Sequence, residues 1–327
     1  MPRIVKRRLA PQTLFFGLLL LGVAALSFEL PPPVAPRSGS SLPTTVSDSV
    51  VVLFTGDLMF DRTIRLALEK AGGREKLFEG VSPLLSGADA VVGNLEGPVT
   101  HFESVSEKSA VGDPANTRFT FPSFVPAFLH EKGFRVVSIG NNHVMDFGTE
   151  GLEETKERLT RSTILFVGDP SRESGEPVTL RLKGITIAFA GYNDFLASDP
   201  ERTRAALRAG RDVGADFVVV LAHWGEEYDP LPSTRIRTLA RSFVSAGADL
   251  IVGTHSHVVG EREDLGFARV YYSLGNFVFD QYFSDDVRCG MAVKLTLTKE
   301  RTRTVPQYED VAIGLMPGAR TVLGCTN

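Results

Sequence analysis

Five short apolar runs constrain this chain more than any other feature, because each stops at a cluster of potential metal ligands. The runs are VVVLFT at 50–55, ADAVVG at 88–93, FRVVSI at 134–139, DFVVVLA at 216–222 and DLIVG at 249–253. They are short, β-branched and bounded by turn residues, which predicts buried strands. Each is followed by polar residues: Asp57 in TGD, Asn94 and Glu96 in GNLE, Asn141, Asn142 and His143 in GNNH, His223 in AHWG, and His255 with His257 in GTHSH. In open α/β sheets, sites form outside the carboxyl ends of the strands. Five strands therefore deliver carboxylates, amides and imidazoles to one edge. Four of the six histidines lie in these motifs; only His101 and His130 do not.

Longer amphipathic stretches separate the runs, the rhythm of an α/β architecture. Helices are expected over 62–71, 123–132, 150–161, 200–211 and 233–246. Residues 178–182 and 185–190 flank Lys183-Gly184 and predict a hairpin. Further strands are expected over 268–274 and 290–298, with an edge strand over 304–313. Two packed sheets with helices outside account for these pieces. The composition, 43% hydrophobic and 23% charged, is that of a globular chain that can build a core. Its 327 residues allow one large domain or two small ones.

The first residues belong to a different regime. Arg3, Lys6, Arg7 and Arg8 precede an apolar run from Leu14 to Phe28. A basic flank before an apolar stretch is the pattern of a secretory signal or a signal anchor over residues 1–30. The run is shorter than the roughly 20 residues of a membrane-spanning helix. Ala24, Ala25 and Ser27 permit cleavage, so leader and anchor both stay open. Positive charge before the run predicts a cytoplasmic N-terminus and an extracytoplasmic domain. Residues 31–48, PPPVAPRSGSSLPTTVSD, lack apolar residues to bury and read as a linker. The folded domain is expected over 49–327.

Imidazole and carboxylate are the usual ligands of divalent zinc, manganese or iron. Singly, each motif is weak. His255-x-His257 also suits a strand end with one ring in and one out. Gly56-Asp57 is often only a turn. His223 alone could be a core histidine, and Glu96 alone a cap. Their joint placement at strand tips raises the metal reading above these alternatives. Cys289 and Cys325 form no zinc-type spacing, and could pair if the protein is exported. A net charge of −4 gives no support for nucleic acid as a partner.

The blocks TGDLMFDR, NLEGPVT, NNHVMDFG, HWGEEY, GTHSHVV and YSLGNFVFD, in this order, resemble the signature blocks of the CapA family, over residues 50–283. That family is tied to poly-γ-glutamate capsule production and in turn resembles calcineurin-like metallophosphoesterases. The resemblance implies a two-sheet β-sandwich flanked by helices and a site for one or two divalent ions (Mn, Fe or Zn). It implies that Asp57, Glu96, Asn142, His223, His255 and His257 form the metal shell, Glu96 at the bridging position. His143 would be general acid or phosphate-oxygen donor. Asp146 either orients His143 or caps the helix near Thr149. Arg62 either holds an anionic group or is a surface arginine, and Asn276 either supports the pocket or makes a turn. One position departs: Met59 stands where the phosphoesterase motif has a histidine, so one metal position loses a ligand. The resemblance thus implies a metal-dependent hydrolase or transferase acting on an envelope phosphoester or anionic polymer. The alternative is a non-catalytic, metal-containing component of a membrane synthesis or export complex.

Overall fold

The computed structural model describes residues 49–171, 176–196, 199–301 and 303–325. The leader or anchor expected over 1–30 and the linker over 31–48 lie outside the described residues. Among the described residues, no helix is long and apolar enough to cross a membrane.

The strands are β1 (Ser49–Leu58), β2 (Ala90–Leu95), β3 (Phe134–Ser138), β4 (Leu165–Val167), β5 (Val178–Leu182), β6 (Ile185–Asn193) and β7 (Phe217–His223). They continue with β8 (Leu250–Thr254), β9 (Arg262–Leu265), β10 (Ala268–Tyr271), β11 (Asn276–Val278), β12 (Cys289–Glu300), β13 (Arg303–Met316) and β14 (Arg320–Leu323). The helices are α1 (Arg62–Glu69), α2 (Gly73–Leu77), α3 (Ser82–Ser86), α4 (Val125–Glu131), α5 (Gly148–Arg161), α6 (Pro200–Asp212), α7 (Thr234–Ser245) and α8 (Asp285–Arg288). One sheet has the order β14-β13-β12-β1-β2-β3-β4, with β11 also paired to β1; the other has the order β5-β6-β7-β8-β10-β9. Strands β1 to β4 run parallel, as do β6, β7, β8 and β10.

Why the five runs read as continuous apolar stretches is now visible. Successive side chains alternate between faces of a strand, and here both faces are covered. Val50, Val52, Phe54, Val92 and Val136 point inward and meet Ile187, Phe189, Val219, Leu221 and Val252 of the second sheet. Their neighbours Leu53, Val91 and Val137 point outward and pack under Ile64, Leu68, Leu129, Leu152 and Leu159 of the helices. On the far side, Val218, Val220 and Ile251 meet Leu207 of α6 and Ile236, Ala240 and Phe243 of α7. The result is the two-sheet sandwich with flanking helices that the sequence predicts.

The departures are local. The strand expected over 268–274 stops at Tyr271, and the chain turns to insert β11 beside β1. The edge strand expected over 304–313 is longer and not at the edge: β13 lies between β12 and β14. A disulfide joins Cys289 to Cys325, with Cα atoms 5.4 Å apart, tying the tail to the start of β12. Elements of three to five residues, such as α2, α3, β4 and β11, carry too little periodicity to be read from sequence.

Candidate metal centre

The strand tips converge. Asp57 is near the end of β1, Glu96 directly follows β2, Asn142 and His143 follow β3, His223 ends β7, and His255 and His257 follow β8. Asp57, Glu96, His223, His255 and His257 are all buried, although they are among the most polar residues in the chain. The β1 tip can sit this deep because Gly56 has no side chain; a Cβ there would collide with the Gly275 carbonyl.

A net of amides fixes the floor. Asn94 donates through Nδ2 to Asp57 Oδ1 at 2.8 Å and lies 3.2 Å from His223 Nδ1, joining the two sheets. Asn141 donates to Asn94 Oδ1 and to the Leu95 carbonyl. Asn193, at the tip of β6, donates to the Asn141 carbonyl at 3.0 Å. Asn94 and Asn141 are thus braces beneath the site. Asn142 is the amide that reaches in, its Oδ1 2.9 Å from His223 Nε2. Asn193 went unread in the sequence, although the strand-tip rule applied to β6 finds it.

Above the floor, acceptors face one another. Glu96 Oε1 lies 4.0 Å from His223 Nε2 and 3.8 Å from His257 Nε2, and neither Glu96 oxygen has a hydrogen-bond partner. His255 Nδ1 is 3.2 Å from His223 Nε2. The His255 backbone N–H donates to Asp57 Oδ2 at 3.2 Å. Two overlapping groups result, Glu96–His223–His255 and Asp57–Glu96–His257, each with its ligand atoms within 4.8 Å of one another. Glu96 is common to both. A buried carboxylate without donors is strongly unfavourable unless it is protonated or meets a cation. The ligand set therefore fits a divalent ion.

The electrostatics agree. Burial pushes the Glu96 carboxyl well above its ordinary value, and neighbouring Asp57 adds to this. Burial also acts to raise Asp57, but His257, His223 and Asn94 outweigh it and hold Asp57 at about 2. Burial, with His257 nearby, brings His255 down to about 4, and burial with His255 nearby holds His223 well below its usual range. Both rings are neutral near pH 7 and keep lone pairs for a cation.

The backbone is strained here as well. His255 has φ 99°, His257 φ 58°, Tyr228 φ 65° and Arg62 φ 51°. Such values in non-glycine residues cluster at functional sites and cost about 1–3 kcal/mol each.

Around the rim, His143 Nδ1 lies 2.9 Å from Asp146 Oδ2, which also accepts from the Phe119 N–H at 2.7 Å. Helix α5 starts with Phe147 as N-cap and no side-chain cap bond, so Asp146 does not cap it. His143 acts electrostatically on His223 and His255, which places it beside the cluster. Arg62 is no free surface arginine: it pairs with Asp280 at 2.5 Å and its guanidinium lies 5.0 Å from the Phe119 ring centre. Met59 is buried and its Sδ accepts from the Asp61 N–H, so it supplies no ligand. Phe195 covers His255 at 4.2 Å and Phe279 covers His257 at 4.6 Å; sequence reasoning had no signal for either.

Fold and site together define a two-sheet α/β sandwich flanked by helices, with a buried carboxylate–imidazole cluster at its strand tips. The chain belongs to the bacterial capsule synthesis protein family PGA_cap, whose model matches residues 51–281. It is 34% identical over 255 residues to the PGA biosynthesis protein CapA of Bacillus subtilis, covering 72% of this chain and 65% of that protein. It is 31% identical over 254 residues to the capsule biosynthesis protein CapA of Bacillus anthracis, covering 72% and 61%. In both cases it spans less than two thirds of the relative's length. Among solved structures it is similar to a hypothetical protein from Thermus thermophilus, with TM-score 0.48 and 18% identity, covering 80% of this chain and 99% of that one.

Proposed function

We propose that this chain serves capsule or envelope polymer biosynthesis as a metal-dependent hydrolase or transferase, with one or two manganese, iron or zinc ions held by Asp57, Glu96, Asn142, His223, His255 and His257. The observation that carries this reading is the Glu96 carboxylate, buried with both oxygens unpartnered between histidines of two strand tips. A bound divalent ion supplies a Lewis acid and a water acidic enough to serve as nucleophile near neutral pH.

The chain's own residues do the rest. Asp146 accepts the Nδ1 proton of His143 and so fixes the ring with Nε2 free to hold or release a proton. The Phe119 ring, 4.3 Å from His143, limits its swing. Asp280 already balances the charge of Arg62, so Arg62 shapes the rim and steers anions only weakly. The substrate in this reading is an envelope phosphoester or an anionic γ-glutamyl polymer. A place outside the cytoplasm is supported by the Cys289–Cys325 disulfide, which persists in oxidising compartments, and by the basic-then-apolar leader pattern.

A second reading, a non-catalytic binding or assembly component, is favoured by one observation: Met59 fills a ligand position with a buried thioether. Elemental analysis of the purified chain beside an Asp57→Ala/His255→Ala variant tests the metal. One or two equivalents lost in the variant support it; no metal, and none acquired from added manganese or zinc, refutes it. His143→Ala then separates the readings: lost hydrolysis with metal retained supports the enzyme, and unchanged turnover removes His143 from catalysis.

A further inference from the structure

We infer that Asn276 is a positioning residue that sets the tautomer of His257 and holds its strained backbone, so that the Nε2 lone pair faces Glu96. This rests on the metal reading only where metal affinity is concerned.

The geometry begins with β11. This three-residue strand lies beside the tip of β1 alone, in parallel register with Asn276 opposite Asp57. Room for it is made by missing side chains on both sides. A Cβ on Gly56 would strike the Gly275 carbonyl, and a Cβ on Gly290 would strike the Asn276 carbonyl. The Asp57 N–H donates to Gly275 O at 3.0 Å and locks the register. The insertion brings one amide side chain, fully buried, to the back of His257.

The amide orientation follows from its neighbours. Asn276 Nδ2 faces three oxygens: His257 O at 3.3 Å, Gln281 Oε1 at 3.2 Å and Val287 O at 3.2 Å. A flipped amide would set its own oxygen against the two backbone carbonyls, His257 O and Val287 O, so Nδ2 belongs there. Oδ1 then faces His257 Nδ1 at 2.9 Å and requires a hydrogen on that nitrogen. Asp57 Oδ2, 3.4 Å from the same Nδ1, makes the same demand. In a neutral ring, Nε2 is left as the lone-pair atom, and it is the nitrogen that lies 3.8 Å from Glu96 Oε1. The bond from Nδ2 to the His257 carbonyl holds the residue at φ 58°. One side chain thus fixes both the ring and the backbone of His257. Partners of this kind behind a ligating histidine set its tautomer and basicity.

The test is 15N NMR of the full-length, metal-free chain labelled only in its six histidines, with zinc titration beside it. Wild type is expected to show His257 as the Nδ1–H form. Asn276→Asp keeps an acceptor and should keep that form. Asn276→Leu removes it, mixes the tautomers and lowers zinc affinity by roughly 10- to 100-fold. An Nε2–H form of His257 in wild type overturns the inference without any variant being made. So does Asn276→Leu with an unchanged tautomer. If wild type binds neither zinc nor manganese, the metal reading fails while the tautomer spectrum still decides the role of Asn276.

Discussion

The strand-tip edge, shared by both sheets, and the C-terminal wing of the first sheet are built on opposite principles. In the wing, β12 and β13 pair from Cys289↔Gly314 to Glu300↔Arg303 without a register shift, and the disulfide closes its end. Its charges, such as Lys294 with Glu309 inside the wing and Asp310 with Arg262 of β9 in the other sheet, stay near solvent and are paired. At the strand tips, registers shift beside Asp57, four non-glycine residues hold positive φ against Arg301 and Ala319 at the wing's turns, and an ionisable group, Glu96, is buried without a donor where the wing leaves only the Tyr308 hydroxyl so. The wing is regular and closed by a disulfide; the tips store unfavourable interactions that a bound cation would relieve. Sites that do chemistry are drawn from such regions.

The largest break in this contrast is expected at Glu96. Glu96→Gln should lower metal affinity by more than the roughly 10- to 100-fold that follows loss of an outer partner. The metal-free protein should keep or gain stability, by about 1 kcal/mol, because a buried unpaired carboxyl is replaced. Isothermal titration with zinc and thermal melting of the two proteins measure both halves; a destabilised apo variant would contradict the stored-strain view.

Acid should act next. His255 has a folded value of about 4 against an ordinary 6.5. The unfolded chain therefore binds the proton more tightly. Stability from this group is fully present above about 6.5 and is lost as pH falls toward 4, to about 3 kcal/mol. His223 shifts in the same direction, while Glu96, raised in the folded state, shifts the other way and offsets part of the loss. Asp57, held at about 2, adds a loss only below its ordinary 3.8. Urea melts of the metal-free protein at pH 7 and pH 4.5 check this, and bound metal should steepen the loss because protons compete with it.

Removing the disulfide is expected to cost about 2–4 kcal/mol, the upper end being the loop-closure value for the 36-residue separation it spans. Cys289→Ala/Cys325→Ala should melt lower and bind metal as wild type does; a matching loss of metal would show that wing and site are coupled. Smallest of all is Arg262→Ala, an exposed pair with Asp310, at about 0.5 kcal/mol or less by the same melts.

Much of this edge was legible in residues. Asp57, Glu96, Asn142, His143, His223, His255 and His257 each follow a run whose β-branched apolar residues announce a strand, and strand direction carries such residues to one edge. The same logic missed Asn193 at the end of β6, because the hairpin reading of 185–190 ended three residues short. Phe195, Phe279 and Asp280 were illegible for a better reason: they sit on loops, and nothing in local sequence tells which loop folds over which ring.

What the sequence determined by itself was the alternation of strands and helices, their placement in two covered sheets and the chemistry at their tips. These follow from period, propensity and burial, which act over a few neighbouring residues. Tertiary structure alone decided that Glu96 lacks a donor, that Asp280 takes the charge of Arg62, and that Asn276 stands behind His257. Each of these joins residues far apart in the chain, and their sign depends on distances of a few ångströms that no local pattern encodes.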